Sequence, residues 1–317
     1  MKPPMIIIAG PTGVGKTKIS IGLAKKLNGE IISADSMQVY RGLDIGTAKI
    51  RKEEMCGIPH HLIDIADPKE DFDVKRFSEE FDKAVKNILS RNKLPILVGG
   101  TGFYIQAALY GVDFSEDSTD SVYRKKLEEM VKDGKSDILY KELSEKDPAS
   151  LSYIHPNNHV KIIRALEYYE ATGKTISSHN EEVRKNKSSR FDDLFFVLNI
   201  DRNTLYKRID ERVDEMVQNG LIDEIEGLLK NGVTPGMSSM KGIGYHEFIP
   251  LPGTDEEMRL AVEKTKEDSR HYAKRQLTWF RHEKGAEFLD IDKKGSIEAC
   301  EEYIINKYLE KIGENHD

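Results

Sequence analysis

The chain is poor in cysteine. Its 317 residues include only Cys56 and Cys300, far apart and without a C-x-x-C companion; this excludes a disulfide framework and a zinc ribbon as organising features. Also missing is any apolar run long enough to span a bilayer. The start, Met1-Lys2-Pro3-Pro4, has none of the character of a secretory signal, so a cytoplasmic protein with no membrane partner is expected. Positive charge is not in excess: 48 Lys and Arg stand against 55 Asp and Glu, a net charge of −7. That argues against an all-over basic nucleic-acid binder while leaving room for a local basic face. Internal repeats and low-complexity tracts are absent too.

What is present begins at Gly10-Pro11-Thr12-Gly13-Val14-Gly15-Lys16-Thr17, a match to G-x-x-x-x-G-K-[ST], the phosphate-cradling P-loop. The apolar run Met5–Ala9 before it has the length of a strand. After it, Ile19, Leu23 and Leu27 recur at helical spacing. Glycines in such a loop let backbone N–H groups turn towards an anion, and the helix N-terminus adds partial positive charge. Lys16 then faces phosphate oxygens, and the Thr17 hydroxyl is placed to hold Mg²⁺.

Further along, Glu30–Ala34 reads as a second strand ending at Asp35-Ser36, and Leu94–Val98 as a buried strand running into Gly99-Gly100-Thr101-Gly102. Ligands of open α/β sheets gather beyond the carboxyl ends of the strands, so Lys16, Thr17, Asp35 and Thr101 should converge on one cleft. A motor-type ATPase normally ends such a strand in a Walker-B aspartate; here glycine stands there. His60–Ile65 is a candidate strand whose adjacent histidines point to opposite faces, which favours structural or polar-contact roles over a metal site. An amphipathic helix is expected over 74–89 and a further helix over 103–110. From about residue 113 to 193, charge rises and strand-like runs vanish, with helices expected over 122–131, 136–145 and 160–171 and a mobile polar connection over 180–190. The fold expected is α/β, a P-loop NTPase-like parallel sheet core (1–113 and 194–317) carrying a mostly helical insertion (114–193).

A strand over 194–200 returns the chain to the sheet, and long helices follow, broken at Gly220. Arg208 and Arg212, four apart, share a helix face; a ligand role and a solvated stripe paired with Asp210 or Glu211 are evenly matched on spacing alone. The 264–281 stretch interleaves Lys264, Lys266, Arg270, His271, Lys274, Arg275 and Arg281 with Tyr272, Trp279 and Phe280. Cations among aromatics suit RNA, while Glu263, Glu267 and Asp268 make a plain solvated helix equally compatible. A last short strand at 288–291 and a closing helix over 297–312 complete the chain.

A P-loop with an acid at the second strand end suits a small transferase. Asp35 could take a proton from an acceptor nucleophile while the loop holds a phosphate group. A kinase acting with ATP on a small molecule or nucleotide fits this. So does an enzyme whose bound diphosphate is the leaving group, and so does an RNA-binding protein switched by a bound nucleotide.

The segments Asp35-Ser36-Met37-Gln38-Val39-Tyr40, Ile45–Lys49, Gly57–His61, Val98–Tyr104, Gly242-Ile243-Gly244-Tyr245 and Tyr272–Arg281 together closely resemble the bacterial tRNA dimethylallyltransferases, in that family's order and almost to the C-terminus. The resemblance implies transfer of a dimethylallyl group from dimethylallyl diphosphate to the exocyclic N6 amine of the adenosine next to the anticodon. It assigns Gly10 to Thr17 to the diphosphate with Mg²⁺, Asp35 to general base, and Thr101 to the diphosphate or acceptor. Asp35, Ser36, Met37 and Gln38 would contact the target base, and Arg124 and Arg212 resemble channel arginines. Contacts with the tRNA anticodon stem-loop are implied for His159, Val160, Lys161, Ile162 and Ile163 in the insertion. They are implied also for Lys241, Gly242, Ile243, Gly244, Tyr245, Lys274, Arg275, Gln276 and Arg281. Family members often carry arginine near the position of Lys161, which keeps a cation without the guanidinium fork. The zinc-finger extension of eukaryotic relatives is absent, and a monomer is expected.

Overall fold

The computed structural model describes residues 2–111, 121–185 and 188–314. The chain forms two compact units, one of Met1–Gly111 with Ser189–Asp317 and one of Val112–Ser188. The boundary expected at residue 113 lies outside the described residues.

The first unit is built on β1 (Pro4–Ala9), β2 (Gly29–Ala34), β3 (His60–His61), β4 (Leu94–Gly99), β5 (Asp192–Asn199) and β6 (Ala286–Asp290). All are parallel, in the order β3-β2-β4-β1-β5-β6. Neighbouring residues of β1 enter different cores. Met5, Ile7 and Ala9 join one apolar cluster and Ile6 and Ile8 the other. A strand covered on both faces must be apolar throughout, which is why Met5–Ala9 shows no alternation. On the first face lie Phe77, Phe81 and Ile88 of α2 (Val74–Ser90) and Ile105 and Leu109 of α3 (Gly102–Tyr110). On the second lie Ile19 and Leu23 of α1 (Lys16–Lys26). Asp73 starts α2 by accepting the Arg76 N–H at 2.8 Å, the usual service of a carboxylate at an N-cap.

The strand expected over 60–65 is only two residues long. Leu62 and Asp64 take φ of 64° and 57°, a left-handed conformation that no strand continues through. His60 and His61 do diverge: His61 Nε2 meets the buried Glu30 carboxylate at 2.8 Å, whereas His60 Nδ1 lies 2.8 Å from Ile58 O.

The second unit is helical, with α4 (Ser121–Lys132), α5 (Ser136–Lys146), α6 (His159–Thr172) and α7 (Ile176–Lys185). Leu127, Leu139, Leu143, Ile154, Ile162, Ile163 and Leu166 make its own core. Asn158 caps α6 at the start and Gly173, with φ of 70°, at the end. The connection expected to be mobile over 180–190 is helical as far as Lys185. The buried Asp147 fixes the start of that helix by accepting the Ser177 N–H at 3.0 Å. Asn186 and Lys187 lie outside the described residues. Arg190 is held in the first unit by Ala108 O at 2.7 Å and by Asp82.

The rest of the first unit comprises α8 (Arg202–Gln218), α9 (Leu221–Lys230), α10 (Asp255–Phe280), α11 (Ile291–Lys294) and α12 (Ile297–Glu314). Gly220, at φ of 96°, separates α8 from α9. A capping box of Thr254 and Glu257 starts α10. Cys300 and Ile304 of α12 close the second core. No helix among the described residues is long and apolar enough to cross a membrane.

Candidate active site

The carboxyl ends of β1, β2 and β4 open on one cavity of about 770 Å³, entirely within the first unit. Between β1 and α1 the loop turns at Gly13 and Gly15, whose φ values of 78° and 107° favour glycine. Gly10, Pro11 and Val14 are buried and carry the turn, while Thr12, Gly13, Gly15, Lys16 and Thr17 line the cavity. Lys16 Nζ folds back on Gly10 O and Pro11 O, at 2.9 and 2.8 Å. Burial pushes the Lys16 ammonium down to about 8, with the Asp35 carboxylate opposing the fall and the Arg212 guanidinium adding to it. Those two causes also place Asp35 and Arg212 within electrostatic reach of the loop.

Asp35 follows directly from β2. Its Oδ1 accepts the N–H groups of Met37 at 2.9 Å and Gln38 at 3.3 Å, a turn typical of aspartate. Asp35, Ser36, Met37 and Gln38 all line the cavity. Thr101 stands just behind them, its Oγ1 accepting the Ser36 N–H at 3.2 Å. β4 ends in Gly99-Gly100 and presents no carboxylate. A Cβ on Gly100 would lie 2.0 Å from Gln276 Nε2, so the missing side chain makes room for α10.

Gln276 is buried and joins two strand ends. Its Oε1 accepts the Thr12 N–H at 3.2 Å and its Nε2 donates to Gly100 O at 3.0 Å. Its amide is therefore committed to the loop itself. Arg212 reaches across from α8, donating to Thr12 Oγ1 at 3.0 Å and to Ala48 O at 3.3 Å. Arg208 lines the cavity beside it. Asp210 pairs with Arg270 at 2.5 Å and Glu211 with Lys207 at 3.7 Å, so those two acids are turned to other cations, while Glu215 lines the cavity together with the arginine pair.

The opposite wall comes from the 241–245 segment and α10. Lys241, Gly242, Ile243 and Gly244 line the cavity. Tyr245 is fully buried and donates to Glu224 Oε1 at 2.7 Å. The Glu224 carboxylate also accepts the N–H groups of Asp44, Ile45 and Gly46 at 2.9, 2.7 and 3.2 Å, which clamps the loop leading to Thr47 and Ala48.

Of the basic helix, Lys264, Lys266 and Arg270 are engaged by Glu267, Asp214 and Asp210. Lys274, Arg275 and Arg281 form no ion pair among the described residues. Lys274 and Arg275 border a second, shallower groove of about 480 Å³ with His271, Thr278, Trp279 and His282; Arg281 is exposed. Arg275 lines both depressions.

Sequence reasoning missed Thr265 and Ser269, which line the cavity with Tyr272 and Gln276. Their spacing of four, three and four residues is the signal: a polar stripe on one helix face. Burial raises the Tyr272 hydroxyl to about 12, and Asp35 pushes the same way, while hydrogen bonds with Thr101 and Gln276 and the nearby Arg275 oppose. Tyr272 thus stands among the groups expected to do the chemistry.

The remaining candidates belong to the second unit. Arg124 meets Glu128 at 3.0 Å and the buried Glu167 at 3.3 Å. Val160 is exposed, His159 partly and Lys161 fully so, whereas Ile162 and Ile163 are core residues. Side chains from that stretch can meet a ligand only at its first three positions.

A divalent cation fits the cavity by its donor set. The exposed Thr17 hydroxyl and the Asp35 carboxylate both line it. These oxygens, completed by phosphate and water, suit a hard divalent cation.

A family model described as IPP transferase matches residues 38–283. The tRNA dimethylallyltransferase of Lachnoclostridium phytofermentans is 50% identical over 280 residues, 88% of this chain and 89% of the relative. Among solved structures, the full-length tRNA isopentenylpyrophosphate transferase of Bacillus halodurans is 42% identical, with the whole of each chain covered and a TM-score of 0.72. A eukaryotic dimethylallyltransferase captured acting on tRNA is 36% identical over 91% of this chain and 74% of its own, with a TM-score of 0.77. The chain belongs to the IPP transferase family, that of the tRNA dimethylallyltransferases.

Proposed function

We propose that the protein transfers a dimethylallyl group from dimethylallyl diphosphate to the exocyclic N6 amine of the adenosine beside the anticodon of tRNA, releasing diphosphate. The observation that carries this reading is Asp35 facing a phosphate loop across a single cavity, in a chain whose relatives bear that activity in their names. Gly10 to Thr17 bind the diphosphate, with Lys16 leaving Gly10 O and Pro11 O for the phosphate oxygens. Arg212, already on Thr12, meets the same charge. Mg²⁺, when bound at Thr17, supplies further positive charge to the leaving group.

The allylic C–O bond breaks with its electrons going to the diphosphate, and the adenine nitrogen forms the new bond to the allylic carbon. The proton lost from nitrogen passes to Asp35. Its Oδ1 is anchored by two backbone N–H groups, which leaves Oδ2 for this task. Thr101 and Tyr272 hold the Ser36 side of the cavity in place. An extruded base entering a cavity of this kind is shielded from water, which would otherwise capture the allylic centre.

On this reading Asp35 to Gln38, Arg275 and the 241–244 segment meet the target nucleotide, and Lys274, Arg275 and Arg281 meet phosphates around it. Arg124 and His159–Lys161 of the helical unit grip the anticodon stem-loop. A monomeric, cytoplasmic enzyme suffices for the reaction.

The test is incubation with Mg²⁺, unmodified tRNA and labelled dimethylallyl diphosphate. Label should enter the RNA without added ATP. A folded, tRNA-binding protein that incorporates none, or that consumes ATP instead, would overturn the proposal.

A further inference from the structure

Behind the wall formed by residues 242–244, three metal-ligating side chains lie together. One donor atom from each of His246, Glu247 and Asp268 falls within 4.8 Å of the other two. The Glu247 side chain is only 1% exposed. Its Oε2 accepts the Gly244 N–H at 2.8 Å, but its Oε1 is buried with no hydrogen-bond partner. A buried carboxylate oxygen left in this way is costly. Burial raises the Glu247 carboxyl above its ordinary range, with the Asp268 carboxylate pushing the same way and backbone N–H groups and His246 opposing.

His246 Nδ1 lies 3.3 Å from Glu247 Oε2 and 3.0 Å from Gly242 O. Asp268, on α10, is 23% exposed and gives Oδ1 to the exposed Lys264 at 3.0 Å, keeping a second oxygen. One nitrogen and two carboxylates make a three-donor N,O set, which leaves a fourth position to water. Zinc binds such donors at about 2.0–2.2 Å in tetrahedral sites. His246 and Asp268, 47% and 23% exposed, are the two members free to close on a bound cation.

We propose that His246, Glu247 and Asp268 bind a divalent transition-metal cation of the zinc class, separate from the cation at the phosphate loop. The site joins two walls of the reaction cavity. Gly242 and Gly244 line the cavity from one side and Ser269, next to Asp268, from the other. A cation here crosslinks the 242–247 segment to α10 and offsets the negative charge of the two carboxylates. It takes no part in bond making.

The test uses the full chain without RNA or prenyl donor, so its outcome is independent of the transferase reading. Zn²⁺ is titrated by calorimetry in excess Mg²⁺, which occupies oxygen-rich sites elsewhere. One Zn²⁺ per chain should bind and raise Tm, since a ligand that binds only the folded state stabilises it. His246→Ala and Asp268→Asn should each weaken binding at least tenfold and reduce the Tm rise at a given Zn²⁺ concentration. Both positions are accessible enough for the variants to fold, so the result does not hang on Glu247→Gln. Absence of stoichiometric binding at millimolar Zn²⁺ overturns the proposal. Binding left intact by either variant overturns it as well.

Discussion

Asp35 is placed by two forces, the end of a buried strand and the hydrogen bonds that Met37 and Gln38 give to Oδ1. Asparagine offers the same carbonyl oxygen to both N–H groups, so Asp35→Asn keeps the turn and removes the carboxylate that would take the proton. Transfer should fall by about 10²–10⁴-fold, the usual contribution of a positioned base, with donor affinity nearly unchanged. Single-turnover label transfer beside equilibrium donor binding checks this, and full activity in the variant would dismiss Asp35 as base. Lys16 makes a second prediction. Held at about 8 by burial, it is partly neutral near pH 8 before the donor arrives, and a bound diphosphate restores its charge. Binding should therefore take up protons around and above pH 8, and affinity should weaken as pH rises through that value. Calorimetry in buffers of different ionisation enthalpy measures the uptake, which Lys16→Met should remove.

At the scale of elements, the phosphate loop, Asp35 and the glycine end of β4 were legible in the sequence because each is a local signal: a strand, then chemistry at its carboxyl end. Glu224 was not. Its importance comes from accepting three N–H groups of the 44–46 backbone, some 180 positions away in the chain, and no spacing rule announces such a pairing. The polar stripe of α10 was half legible, since its period was in the sequence while the face it presents depends on packing. The short β3 was misjudged because left-handed φ values at Leu62 and Asp64 leave no trace in hydropathy. Tyr245→Phe tests the clamp: it removes the hydroxyl that meets Glu224 while keeping the ring packed against Gly46. A loss of about 1 kcal/mol is expected, read as a lower denaturant midpoint with an unchanged slope. No change would mean that the backbone donors alone hold Glu224.

Every residue lining the main cavity belongs to the compact unit that contains the sheet. The chain leaves that unit and returns to it at one place. Arg190 N donates to Leu109 O at 2.8 Å, and its guanidinium binds Ala108 O. Replacing 112–188 by a few glycines therefore closes a gap that is already short, and the entropy of so short a loop is small. The helical unit keeps its own core of Leu127, Leu139, Leu143, Ile162 and Leu166, and the six strands of the sheet all belong to the unit that remains. The shortened protein should bind dimethylallyl diphosphate within about threefold of the full chain, an energy difference under about 1 kcal/mol. Transfer to tRNA should be lost if the helical unit grips the anticodon stem-loop. Equal transfer by both proteins would instead place the grip on the accessible cations of α10, Lys274, Arg275 and Arg281.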